Sequence, residues 1–284
     1  MANFCGSFYN ALKTLAPSSS AAAYVLAGNV GRISVVGTFL VDIVNIIMRV
    51  FVNNSESSSK CSFESFMNLD TTCMTEFYNS VFNNLPYHEW LIIFNIMFRL
   101  LTCIVFFIME DVFNKYETAK VNREFLTLGT ALGAVERAFT MGVSSSAVWS
   151  VHLDKVKGDI YPVVSIDFAK NLANASSSWI FIFRYLIMSF GIFSYSIFDR
   201  KDNYVGKHFS LIGYILTLLG ILQFISGILK LCSFGVFSMI TGILELIFNI
   251  LFLVWVFIFS TVCRNKTDHL TESLTQDASV DITN

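Results

Sequence analysis

The chain has 284 residues, of which 54% are hydrophobic and only 14% are charged, and its mean hydropathy is +0.61. A soluble domain carries about a quarter charged residues, and the net charge of -2 offers no basic field to a phosphate backbone, so a soluble enzyme, a disordered protein and a nucleic-acid binder are excluded. The composition predicts an all-α, polytopic transmembrane helix bundle whose main partner is the lipid bilayer.

The first span follows a short N-terminal extension. Residues 1–20 lack the basic start and the apolar core of a cleaved signal peptide, and we expect them to lie in the cytosol. The stretch from Val25 to Val52 is long enough to cross ~30 Å of hydrocarbon, although it contains Arg32 and Asp42. We therefore predict that the helix bundle occupies residues 21–263 and begins with this span.

A large loop is predicted at residues 53–89, on the non-cytosolic side of the membrane. It contains Cys61 and Cys73, which are separated by eleven residues. In an oxidising compartment two such cysteines close a loop that stabilises the fold by ~3 kcal/mol. We predict this disulfide, and two free thiols are the alternative.

Five more segments are candidates for spans, and four of them are strongly apolar. The weaker one, Phe125 to Val151, contains Glu136 and Arg137. It either crosses the membrane or lies in the interface as an amphipathic helix. The four strong segments are Trp90 to Met109, Trp179 to Phe198, Phe209 to Leu231 and Val236 to Cys263.

The distribution of Lys and Arg between the two sides of the membrane favours a span at Phe125 to Val151. Cytoplasmic loops collect Lys and Arg, and six spans place nine of these residues in the cytosol against five outside, whereas five spans give nine against six. Six spans with both termini in the cytosol are therefore predicted, five spans being the alternative. In the six-span arrangement Lys155 to Ser178 is a second outer loop. Residues 264–284, polar and rich in Ser and Thr, are predicted to be a disordered cytosolic tail.

Ionisable side chains inside the predicted spans are candidates for structural or functional pairs, because an isolated charge in lipid is costly. Asp42 and Arg99 lie near the middles of two antiparallel spans, and we predict that they pair. Arg184 is placed one turn into the fourth span, and its candidate partner is Glu136, although their depths match less well.

The last two spans are predicted to form a tight hairpin around residues 232–235. Counted outward from this turn, Gln223 and Glu245 reach nearly the same depth, which predicts a hydrogen bond between them. These intramembrane groups either hold helices in register or form a proton or ion pathway, and the first interpretation is favoured.

Small residues mark the faces on which helices are expected to pack. A glycine recurs every seven residues on the fifth span, and a GxxxG pair lies on the third. Such positions let helix backbones approach closely in lipid. We expect packing within one molecule, with dimerisation as the alternative. The helix-packing residues are Gly129, Gly133, Gly213, Gly220 and Gly227.

No catalytic residue, metal site or cofactor is predicted. The histidines lack zinc-protease spacing, the cysteines lack zinc-ligand spacing, and the nucleophile elbow, P-loop and dinucleotide motifs are absent. The favoured interpretation is a non-enzymatic membrane scaffold or trafficking component of the plasma membrane or a secretory-pathway endomembrane, with a second copy or other membrane proteins as candidate partners. The alternative is a small transporter or channel that uses Asp42, Arg99, Glu136 and Glu245.

Overall fold

The computed structural model describes residues 20–55, 71–154, 160–232 and 235–281, and all secondary structure in these ranges is helical. The predicted all-α fold is confirmed for this part of the chain. Its helices, in chain order, are α1 (Ser20–Ser55), α2 (Thr71–Val112), α3 (Ala119–Asp154), α4 (Ile160–Asp202), α5 (Lys207–Cys232) and α6 (Gly235–Asp281).

Within the described residues, four helical segments are long and apolar enough to cross a bilayer. They coincide with the four strong spans predicted from the sequence and identify the chain as compatible with a membrane protein. The described residues place no such segment in α1 or α3, so six spans and cytosolic termini stay predictions. The four segments are Glu89–Val112, Ser178–Asp202, Lys207–Leu231 and Met239–Asn265.

Three helices extend into segments that the sequence analysis assigns to loops or to a tail. Helix α2 begins at Thr71 and α4 at Ile160, inside the predicted loops, while α6 continues to Asp281. Pro162 stands in the first turn of α4, where a missing N–H interrupts no helical hydrogen bond. The tail after Arg264 contains neither Gly nor Pro, so nothing in it stops a helix.

The predicted disulfide joins two cysteines whose side chains lie outside the described part of the chain. Cys61 and the side chain of Cys73 lie outside the described residues, and the bond between them stays a prediction. Cys103 and Cys263 are buried free thiols.

The chain divides into two compact units. The larger consists of Met1–Phe39, Phe98–Leu132 and Ile182–Asn284, and the smaller of Leu40–Met97 and Gly133–Phe181. The core of the larger unit is strongly aromatic: Phe209 stacks on Trp255 with 4.6 Å between ring centroids. Its largest fully buried side chains include Trp255, Tyr185, Tyr195, Phe106, Phe113, Phe209, Phe248 and Phe259.

Helix α5 has the polarity of a helix in lipid rather than in water. A surface helix of a soluble protein buries its apolar stripe and exposes its polar residues. In α5 the buried side is mostly small or polar, with Phe209 and Leu216 as its large apolar members, and the exposed side is an apolar stripe with helical spacing. The buried residues include Ser210, Gly213, Gly220, Gln223, Ser226 and Gly227, and the exposed ones include Leu211, Ile215, Leu218, Leu222, Ile225 and Leu229.

Within the larger unit, α1 runs antiparallel to α2. A Cβ atom built on Gly31 would lie 2.8 Å from Val105 Cγ2. One turn later, the Ser34 hydroxyl donates to the Phe98 carbonyl over 2.8 Å and lies 2.5 Å from the Thr102 hydroxyl oxygen. Residue numbers therefore rise along α1 as they fall along α2.

The start of α1 also contacts the last part of α6. The Arg264 guanidinium donates to Asn29 Oδ1 over 3.1 Å, and Arg32 Nε donates to the Thr261 hydroxyl over 3.3 Å. These bonds join the beginning of α1 to the end of the span Met239–Asn265.

Candidate functional site

The most deeply buried cation among the described residues is Arg184 on α4, whose side chain is only 3% exposed. Its Nη2 atom donates to the Tyr185 hydroxyl over 2.6 Å and to Glu245 Oε1 on α6 over 3.4 Å. The guanidinium carbon also lies 4.6 Å from the centre of the Tyr185 ring. Arg184 is therefore held by a carboxylate, a hydroxyl and an aromatic face.

Glycines and an aromatic contact bring the neighbouring helices up to this site. A Cβ atom on Gly129 of α3 would stand 3.2 Å from the Arg184 carbonyl oxygen, and one on Gly220 of α5 would stand 3.2 Å from that of Tyr185. The Tyr185 ring meets Phe248 of α6 edge-on, with 4.8 Å between centroids. Parts of α3, α5 and α6 thus enclose the same turn of α4.

A second polar group lies in the smaller unit, where α1, α2 and α3 each contribute a residue. Asn95 Nδ2 donates to Asp42 Oδ1 over 2.7 Å, and Arg137 Nη1 is 4.0 Å from the same oxygen. Asn95 is buried, whereas the side chains of Asp42 and Arg137 are 29% and 24% exposed. The Asp42 carboxylate is therefore firmly bonded to an amide and more loosely paired with a cation.

These partners differ from the pairs expected on depth alone. The structure joins Asp42 to Asn95 and Arg137, and the pair of Asp42 with Arg99 stays a prediction. Arg184 bonds Glu245, and its contact with Glu136 likewise stays a prediction.

The hydrogen bond expected between Gln223 and Glu245 is replaced by another arrangement. Gln223 Nε2 donates to the Thr241 carbonyl over 3.0 Å, while its Oε1 atom has no partner in the described part of the chain. Thr241 lies one helical turn before Glu245. The α5–α6 hairpin keeps the symmetric register that counting assumes, because the Thr241 hydroxyl donates to Ser226 and because Cβ atoms on Gly220 and Gly213 would lie 3.2 Å from Phe248 and Trp255. Gln223 bonds one turn closer to the hairpin tip, and Glu245 bonds Arg184.

The glycine stripe of α5 faces α4. Cβ atoms at Gly213, Gly220 and Gly227 would collide with the side chains of Ser196, Ser189 and Ile182, in that order. Replacing any of these glycines with a larger residue requires the facing side chain or the helices themselves to move. Gly129 has a similar role on α3, where a Cβ atom would collide with Met188, and Gly133 is buried.

A polar and aromatic cluster joins the turn after α2 to the end of α4. Lys115 Nζ and the Tyr116 hydroxyl both donate to Asp202 Oδ1, the latter over 2.9 Å. The Tyr116 ring stacks on Phe198 with 4.1 Å between centroids and an angle of 2° between planes. The Tyr195 hydroxyl donates to the Ala119 carbonyl over 2.8 Å. Sequence reasoning missed this cluster because it joins residues about 85 positions apart, which no local pattern connects.

The turn between α4 and α5 is organised by a fully buried carboxylate, Asp199. Its oxygens accept the Val205 N–H over 2.6 Å and the Ser210 hydroxyl over 2.8 Å. Asn203 and Gly206 take positive φ angles of 50° and 122°, which Asn and Gly adopt more readily than other residues. The spacing of Asn and Gly is the sequence signal that predicts a tight turn here.

Two groups of this end that lie outside the candidate spans have shifted pKa values. The hydrogen bond with Asp202 raises the pKa of the Lys115 ammonium, and burial raises the pKa of the Tyr204 hydroxyl. Lys115 is therefore charged across the physiological range. On the alkaline side, its bond with Asp202 weakens as the pH rises through that elevated pKa.

Arg123 joins α2 to α3 near the same turns. Its guanidinium donates to Glu110 on α2 and to Glu124 on α3, and its carbon lies 4.5 Å from the centre of the Phe107 ring. The cation is thus shared between two carboxylates, neither of which the sequence analysis identifies as a partner.

The described side chains contain no cluster of three or more His, Cys, Asp or Glu residues suited to a metal ion. The chain matches no protein-family model, no curated protein and no solved structure. Function is therefore argued from the geometry of the intramembrane groups and of the turns.

Proposed function

We propose that this protein is a non-enzymatic, six-span membrane scaffold with both termini in the cytosol. The observation that carries the scaffold role is the bonding of Arg184, the most buried cation described, to Glu245 and Tyr185. A charge fixed in this way, with helices packed around it, suits a fixed bundle better than a group that must exchange partners during transport.

The contacts between turns support a crossing by α3. Lys115 and Tyr116, which follow the span in α2, bond Asp202 at the end of the span in α4. Both spans therefore end on the same side, and the chain must return between them. Helix α3 has 36 residues, about 54 Å of helix, which is ample for the return.

The direction of α1 supports a crossing by that helix too. Helix α1 packs antiparallel on α2, and Asn29 and Arg32 bond residues at the end of the span in α6. Both observations support a crossing of the membrane by α1. The two termini of the bundle are then on one side. Because Arg200, Lys201 and Lys207 lie on that side, the positive-inside rule assigns it to the cytosol.

Ion and solute flux in liposomes containing the purified full-length chain tests the scaffold role. We expect no flux of protons, sodium or potassium above that of protein-free liposomes. Flux that Glu245→Gln or Glu136→Gln abolishes, with normal reconstitution of the variant, would overturn the proposal.

The second candidate is a small transporter, and the geometry of Asp42 favours it. Arg137 is 24% exposed and lies 4.0 Å from the Asp42 carboxylate, whereas Arg184 is 3% exposed and lies 3.4 Å from Glu245. The longer pair, whose cation reaches solvent, opens more easily. Flux lost in Asp42→Asn and retained in Glu124→Gln, a carboxylate outside the candidate spans, would support this alternative.

A further inference from the structure

The turn between α4 and α5 presents three cations on its surface. Arg200 and Lys201 lie in the last turn of α4, and Lys207 begins α5. All three side chains are exposed, and the described part of the chain gives none of them a carboxylate within ion-pair distance. They flank the ends of two candidate spans, Ser178–Asp202 and Lys207–Leu231, which is the depth of lipid headgroups.

The two carboxylates near the same turn accept hydrogen bonds from other groups. Asp199 is fully buried and accepts bonds from Val205 and Ser210, while Asp202 accepts bonds from Lys115 and Tyr116. The sequence around the turn is nearly neutral, but folding separates the signs. The carboxylates are used for internal bonds, whereas the cations are exposed, with Arg200 lying 6.0 Å from the centre of the Tyr214 ring and Lys201 6.0 Å from that of Tyr116.

We propose that this turn is a binding site for the headgroup of an anionic phospholipid. The phosphate and a further acidic group of one lipid, phosphatidylserine for example, are contacted by Arg200, Lys201 and Lys207. Arg and Lys are the residues that bind phosphate oxygens most strongly in proteins.

The exposed face of α5 favours a lipid over a soluble anion. Lys207, Leu211, Ile215 and Leu218 follow one another at spacings of three or four residues, so they lie on one face of the helix. The three apolar members are exposed, Leu211 by 57% and Leu218 by 60%. When the headgroup of a lipid binds Lys207, its acyl chains can therefore pack against the exposed apolar residues of the same helix face.

The site requires the ends of α4 and α5 at headgroup depth and does not depend on the scaffold role, so flux experiments and lipid-binding experiments fail independently. The test uses the purified full-length chain in a neutral detergent, titrated with short-chain phosphatidylserine or phosphatidylcholine while thermal unfolding is recorded. The triple variant Arg200→Gln, Lys201→Gln, Lys207→Gln removes the site. Lys230→Gln, an exposed lysine at the other end of α5, is the matched control.

We expect phosphatidylserine to stabilise the wild-type protein at lower concentrations than phosphatidylcholine. Juxtamembrane cations contribute roughly fivefold each to anionic lipid affinity, so the triple variant should need about 100-fold more phosphatidylserine for half-maximal stabilisation. Lys230→Gln and the charge-conserving Lys207→Arg should behave like the wild type.

Three results would overturn the site. One is equal stabilisation of the wild type by the two lipids, and another is an unchanged phosphatidylserine response in the triple variant. The third is equal stabilisation by soluble phosphoserine, which would mean that the cations take a free anion and that the lipid assignment is wrong. If the triple variant does not fold, the single charge reversal Lys207→Glu gives the same comparison.

Discussion

Individual side chains in this protein are positioned by partners that cross between helices. Arg184 makes its ion pair with a residue of α6, and Asp42 makes bonds with residues of α2 and α3. A buried ion pair adds little net stability compared with apolar side chains of similar size, because both ions lose their hydration. Its effect is to penalise every arrangement in which one ion lacks the other. Arg184 and Glu245 therefore specify how α4 and α6 align.

The pair predicts a measurable energetic coupling. Glu245→Gln leaves the Arg184 cation buried without its carboxylate and should lower the free energy of unfolding by about 3 kcal/mol. The double variant Arg184→Met, Glu245→Gln should recover part of this loss. A double-mutant cycle in SDS titrations of the reconstituted protein measures the coupling, and additive losses would contradict the pairing.

Asp199 should be sensitive to substitution although its bonds lie near the end of the bundle rather than at its centre. Asp199→Ala leaves the Val205 N–H and the Ser210 hydroxyl without their acceptor, and it should cost about 1–3 kcal/mol of unfolding free energy. Ser210→Ala, which removes one donor only, should cost less than Asp199→Ala in the same titration. The reverse order would mean that the carboxylate does not organise the turn.

At the scale of helices, close approach decides the packing. The buried face of α5 carries glycines where α4 presents Ser196, Ser189 and Ile182, so the two backbones come together without large side chains between them. In lipid there is little hydrophobic drive between helices, and van der Waals contact of this kind supplies much of the association. Small residues are therefore more informative about helix contacts here than large apolar ones.

Two glycines in similar helical positions provide a matched test. Gly220→Ala places a methyl group against Ser189, with Phe248 and the Tyr185 carbonyl each 3.2 Å away, and should destabilise the protein by about 1–3 kcal/mol. Gly242→Ala on α6 meets no atom within 4 Å and should be neutral or stabilising by up to about 1 kcal/mol. Equal unfolding free energies for the two variants would contradict the packing of α4 on α5.

At the scale of the whole molecule, the number of crossings decides which surfaces face the cytosol. The bonds of Lys115 and Tyr116 to Asp202 require the turns after α2 and α4 to share a side. A bundle in which α3 only lay on the interface would put those turns on opposite sides. The proposed topology thus rests on contacts between turns more than on the hydropathy of α3.

Cysteine labelling in sealed vesicles checks this topology. In a background without native cysteines, Glu117→Cys and Lys207→Cys should react with a membrane-impermeant maleimide from the same, cytosolic side, because both exposed residues lie at the end that carries these turns. Lys230→Cys should react only from the opposite side. Labelling of positions 117 and 207 from different sides would exclude a crossing by α3.

The sequence predicts those features that depend on composition along one helix. The four apolar spans and the inward glycines of α5 follow from hydropathy and spacing. Partners are harder to predict, because groups at equal depth need not bond each other: Gln223 bonds the Thr241 carbonyl, one turn from Glu245, although the hairpin is symmetric. The bonds of Asp202 could not be predicted from the sequence. A charged residue near the end of a span is normally expected to face solvent, and only the structure shows that the two turns meet.

The ion pair of Arg184 with Glu245 also orders events in time. Its members are 61 positions apart, so at translation rates of 5–20 residues per second roughly 3–12 s pass between their syntheses. During that interval α4 already contains Arg184, and Tyr185 is the partner that it carries with it. Arrival of α6 brings the carboxylate last. A nascent chain that stops before Glu245 therefore lacks the bond that aligns α4 with α6, and the register of these two helices is fixed only after α6 has been made.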